Sequence, residues 1–168
     1  MNQKNFILSP LMRPRIEATL HNARVMLLTF DPQAGLFGLP LWKHAYHMLH
    51  SADRWFINPA RYEEPPFHTP GLNYLDDPVC EPQLTREDLL AYLEGIREKV
   101  LAYMDATTDE QWAQPPEGCP SARLELLLGQ FQHFCGHMGN INAVTMQNTG
   151  KWPRMVGMEW QISEQLWE

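Results

Sequence analysis

Two histidines four residues apart, His133 and His137, lie in the stretch QFQHFCGHMGNI and are the residues of this sequence best placed to do chemistry. On a helix, positions i and i+4 stand about 40° apart around the axis and about 6 Å apart along it, so both imidazoles reach one ion. They share a stripe with Leu126 and Val144 at the edge of the helix's apolar arc. Partial desolvation there favours neutral imidazole, the form that coordinates a metal. The spacing alone equally suits two half-buried, hydrogen-bonded histidines. Phe134 follows His133, so the glutamate of the HExxH protease motif is missing and that reading is set aside.

A second group supplies candidates for a third ligand. His44, His47 and His50 occupy successive i,i+3 positions in LWKHAYHMLHSADRWF and span about 120° of a helix surface. At least one of them faces the interior if this helix packs against the one carrying His133 and His137. Leu41, Met48, Ala52, Trp55 and Phe56 centre its apolar arc, with His44 at the edge and His47 further round. Periodicity by itself favours His44 and leaves His47 and His50 open.

Four helices must position these groups. The first is expected from about Pro14 to Leu28, with Ile16, Leu20, Ala23 and Leu27 at helical spacing. It stops near Asp31-Pro32, before the turn-rich QAGLFGLP. The second is expected from Leu41 to Ile57, ending at Asn58-Pro59 because the residue before proline disfavours the helical region. A long proline-rich connection, Pro59 to Pro82, reads as a crossover or a cap over one bundle end. The third opens at Thr85, with Asp88 as a capping-box partner, and runs to about Asp105. After the loop TTDEQWAQPPEGCP, the fourth runs from an N-cap at Ser121 to Asn148, before Gly150. The expectation is an all-α fold, a four-helix bundle with a long crossover loop between helices two and three, as one domain over residues 1–168. The tryptophan-rich tail, Lys151 to Glu168, is expected to pack on the bundle or on a second subunit.

Composition narrows the classes. An apolar fraction of 44% and a charged fraction of 20% are those of an ordinary globular protein. The formal net charge of −7 argues against nucleic-acid or anionic-membrane partners. Cys80, Cys119 and Cys135 form no CxxC pair, which fits a reducing cytoplasm better than a disulfide framework. The first fifteen residues lack the pattern of a signal peptide, and no window approaches the roughly 20 apolar residues of a membrane span. The expectation is a cytoplasmic protein.

The segment His47-Met-Leu-His-Ser-Ala-Asp-Arg-Trp55, combined with His133-x-x-x-His137-Met-Gly139-Asn-Ile141, resembles the DinB-like superfamily. Its members carry a helix-two histidine followed eight residues later by an aromatic, and an HxxxH pair running into Gly-Gln-Ile. Asn140 stands here where glutamine is usual. The resemblance implies His47 as the third ligand beside His133 and His137, with Ser51 one turn along the same face, against the preference of periodicity for His44. It also implies kinship with bacillithiol- and mycothiol-dependent transferases and isomerases, in which a metal activates a low-molecular-weight thiol.

Three neutral imidazoles without a carboxylate in register suit one divalent ion, zinc or nickel first, and an open fourth position is the catalytic arrangement. Asp53, about 120° round from His47, is a poor fourth ligand. The expected activity is that of a thiol S-transferase or isomerase acting on a small-molecule substrate, or a metal-assisted hydrolase. The alternative is a non-catalytic metal- or ligand-binding bundle, with a homodimer as the expected assembly; a metal-free bundle with merely buried histidines is the third reading. Cys135 points about 160° away from His137 and reads as a core cysteine. Arg54 reads as a solvated arginine that could hold an anion at the site mouth, and Gln130 as a hydrogen-bond donor near the metal. Gly136, Gly139 and Ala143 form a small-residue side that permits close approach of another backbone. His21 and His68 have no readable role.

Overall fold

The computed structural model describes residues 7–76, 81–158 and 161–168. Helix α1 (Leu8–Thr29) leads into a hairpin of two-residue strands, β1 (Gly35–Leu36) and β2 (Leu39–Pro40), turned by Phe37 and Gly38 at φ 51° and 79°. Helix α2 (Leu41–Trp55) follows directly. After the connection come α3 (Arg86–Ala106), the single-turn α4 (Asp109–Trp112) and α5 (Arg123–Thr149). The fold is an all-α bundle, as expected, with only this small hairpin as sheet. Cys80 and Pro78 lie outside the described residues.

Three boundaries differ from the local reading, each for a physical reason. Helix α1 starts at Leu8, not Pro14, because its first N–H groups are satisfied from far along the chain. The Asp109 carboxylate accepts from Ile7 N at 2.8 Å and from Leu8 N at 2.9 Å. Such a carboxylate also meets the positive end of the helix dipole. Pro14 consequently sits inside the helix. Helix α2 stops at Trp55, two residues short of Ile57, and Asn58 caps a 3₁₀ turn at Pro59–Arg61. Ser121 is not the cap of α5. Arg123 is tied back to the preceding loop, its guanidinium donating to the carbonyls of Gln111, Gln114 and Pro115, and Glu125 receives the N–H of Ala122 at 2.7 Å.

The expected capping box of α3 is present: Thr85 Oγ accepts from Asp88 N, and the Asp88 carboxylate accepts from Thr85 N. A second box, Thr108 with Gln111, starts α4 inside the segment read as loop. Helix α1 packs on α3 and α5, and α2 packs on the same two, so α1 and α2 stand diagonally across the core. Leu20, Leu27, Met48, Leu49, Ile96, Met104, Trp112, Phe134 and Ile141 fill it. Each such side chain withdrawn from water contributes about 1.5–3 kcal/mol before the entropy of ordering it.

The tail lies on α1. Asn22 bonds Val156 twice, its Nδ2 donating to the carbonyl at 3.0 Å and its Oδ1 accepting the N–H at 2.7 Å. Trp42 and Trp112 are core residues, whereas Trp55 and Trp152 are exposed. Among the described residues no helix is long and apolar enough to cross a membrane.

Candidate metal centre

Helix α5 carries His133 and His137 on successive turns, and α2 brings His47 opposite them. The His133 and His137 Nε2 atoms are 3.1 Å apart, with ring centroids at 4.4 Å. The His47 ring lies 5.4 Å from His133 and 4.7 Å from His137. One ligand nitrogen from each of the three lies within 4.8 Å of the other two. Two nitrogens bound tetrahedrally at 2.0–2.1 Å stand about 3.3 Å apart, so the His133–His137 pair needs almost no adjustment to share an ion.

The connection fixes the third imidazole. Leu72 is fully buried in the core, and Gly71, at φ 85°, turns the chain so that the Asn73 carbonyl meets His47 Nδ1 at 2.7 Å. A carbonyl only accepts, so Nδ1 carries a proton, and in the neutral ring the lone pair is then on Nε2. This is the outer partner that sets tautomer and orientation in metal-ligating histidines. Burial, reinforced by His47 and His133, pushes the His137 imidazole down to about 4. Burial and then His47 lower that of His133 as well. Both are therefore neutral near pH 7, as coordination requires.

The other two helix-two histidines are engaged elsewhere. His44 is buried and its Nε2 donates to the Leu36 carbonyl at 2.9 Å. His50 Nε2 meets Glu64 Oε2 at 2.7 Å, away from the His133–His137 pair. Below the three histidines, Ser51 Oγ donates to Gln130 Oε1 at 3.1 Å. Gln130 Nε2 and His133 Nδ1 are buried and have no partner among the described residues. A buried amide N–H without a partner, one helical turn before His133, fits a site that takes up a further polar group.

Of the remaining candidates, Cys135 packs half-buried against the core, and burial raises its thiol pKa. Arg54 is exposed, its guanidinium 5.5 Å from the Trp55 ring centroid. Gly136 and Gly139 are exposed, and a Cβ at either would meet nothing within 4 Å, so no other backbone among the described residues packs on that small-residue side. His68, without a readable role in the sequence, is joined by Glu64 beside His50; a loop glutamate four residues before a histidine was the available signal.

The model of the DinB superfamily matches residues 11–141, which takes in most of α1, all of α2, α3 and α4, and the histidines of α5. The chain belongs to the DinB superfamily. No curated protein and no solved structure gives a significant match.

Proposed function

We propose that His47, His133 and His137 hold one divalent ion, zinc or nickel, at an open site that activates a low-molecular-weight thiol or water. The observation that supports this most is the convergence of three imidazole nitrogens, joined by no carboxylate among the described residues, one of them fixed by Asn73 in the tautomer that frees its Nε2. An all-imidazole set suits late divalent ions, and three protein ligands leave a position for substrate. An ion bound there supplies Lewis acidity that lowers the pKa of a coordinated thiol or water.

The chain's own residues have defined tasks. Burial keeps His133 and His137 unprotonated, and the Asn73 carbonyl holds the His47 ring in place. Gln130, its oxygen occupied by Ser51, keeps an Nε2 donor for an oxygen or sulfur at the site. This favours thiol S-transfer or a related isomerisation on a small molecule, with metal-assisted hydrolysis second.

Protein purified without a histidine tag, supplemented with zinc or nickel and dialysed, tests the site by metal analysis. Retention of less than about a tenth of an equivalent, or undiminished retention in His137→Ala, refutes it. The chemistry is tested on the loaded protein by following consumption of a low-molecular-weight thiol in the presence of an epoxide or activated halide. Loss of that activity in His137→Ala supports the transferase reading. Metal binding without thiol- or water-dependent turnover supports the non-catalytic bundle.

A further inference from the structure

A second cluster lies on the same helix α2 and the same connection. His50 Nε2 is 2.7 Å from Glu64 Oε2, and His68 Nε2 is 3.8 Å from that same oxygen. The two imidazoles are stacked with centroids 4.9 Å apart and planes at 23°. His50 is buried, the His68 side chain is only 11% exposed, and Glu64 reaches solvent. Tyr46, fully buried, places its hydroxyl 2.7 Å from His68 Nδ1, and Tyr62 donates to Glu64 Oε2 at 3.2 Å.

Hydrogen bonding leaves this arrangement incomplete. The carboxylate oxygen serves His50, but 3.8 Å is too long for a bond to His68. The two separations from that oxygen, 2.7 and 3.8 Å, straddle the roughly 3.3 Å expected of two ligands on a tetrahedral ion. A shift of about half an ångström at each contact would bring both to that separation, and all three ligand atoms already lie within 4.8 Å of one another. With Nδ1–H of His68 given to the Tyr46 oxygen, its Nε2 lone pair faces Glu64. That is the supporting partner a metal-bound histidine requires. Glu64 and Tyr62 also line a cavity of about 870 Å³, together with Asp53, Arg61, Tyr92 and Lys99, so the carboxylate end of the cluster borders open space.

We infer that His50, Glu64 and His68 form a second divalent-cation site, separate from the three-histidine centre. Two imidazoles and one carboxylate select zinc or another late first-row ion, and the carboxylate adds the charge that the three-histidine set lacks. The side of Glu64 toward the cavity is where water or an anionic ligand would complete the coordination.

The test is zinc stoichiometry of the metal-stripped full-length chain after equilibrium dialysis, with circular dichroism to verify folding. Glu64→Gln is exposed and keeps an acceptor for His50, so it preserves the fold while removing the anionic ligand; His68→Gln is the companion. The wild type should bind about two equivalents, and each of these variants about one. Wild-type binding of a single equivalent that His137→Ala abolishes and Glu64→Gln spares overturns the second site alone. A single equivalent that Glu64→Gln abolishes and His137→Ala spares upholds it while refuting the three-histidine reading. Failure to bind zinc at all overturns both.

Discussion

Replacing His47 and His44 separately by alanine should produce opposite pairs of effects. His44 is 5% exposed, and its Nε2 is the partner of the Leu36 carbonyl. Removing it leaves that carbonyl without its bond, at about 1–3 kcal/mol, and the lost ring volume adds roughly 1–2 kcal/mol. At about 2–4 °C per kcal/mol for a chain of this size, the melting midpoint should fall by roughly 5–15 °C, with metal binding intact. His47 is only half-buried, and the Asn73 carbonyl it leaves behind can be hydrated, so His47→Ala should cost the metal-free protein about 1 kcal/mol or less. Its zinc affinity should nevertheless fall by more than about 100-fold, beyond what loss of a supporting partner costs. Calorimetric titration of zinc and thermal melts of both apo variants read the two quantities independently. Undiminished zinc affinity in His47→Ala, or its loss in a folded His44→Ala, refutes the ligand assignment.

Asp109→Ala should destabilise the protein by about 1–2 kcal/mol, the sum of a lost N-cap and a lost dipole contact, and chemical denaturation measures it. Hydrogen exchange should locate the effect at the first turn of α1. The metal-free protein should lose stability on acidification, because the His137 pKa is depressed in the folded chain to about 4 from an ordinary 6.5. Its contribution is complete above about pH 6.5 and is lost as pH falls toward 4, roughly 1–2 kcal/mol after allowance for partial exposure. Urea midpoints across that window test it, and His137→Gln should flatten the profile. Ser51→Ala should cost about 1–2 kcal/mol by stranding the Gln130 amide, whereas Gln130→Leu, which removes an already unsatisfied buried group, should stay within about 1 kcal/mol of the wild type; equilibrium unfolding separates the two.

The four long helices, their order and the cap at Thr85 were legible because they depend on residues within one turn of each other, whereas the single-turn α4 was hidden in a segment that reads as loop. The start of α1 was not legible, since its acceptor, Asp109, is about a hundred residues away in sequence. Periodicity favoured His44 because it treats a helix as having one wet and one dry face. Helix α2 is instead covered by α3, α5, the hairpin and the connection, and every residue from Leu41 to His50 except His47 is buried. On such a helix, the edge of the apolar arc says nothing about which histidine meets α5. The pair Glu64 and His68 offered only its four-residue spacing as a signal, because its geometry depends on an irregular connection whose path no local pattern encodes.

The dependence of α1 on Asp109 bears on the order of events during synthesis. Synthesis makes the α1 segment before α4, so the carboxylate that receives its leading N–H groups appears only after α2, the connection and α3. Until then the first turn can be bonded only to water, and Trp112, whose Nε1 donates to Ser9 Oγ at 2.8 Å, is likewise still to come. The amino-terminal end of the bundle therefore closes late, in the same event that docks α4.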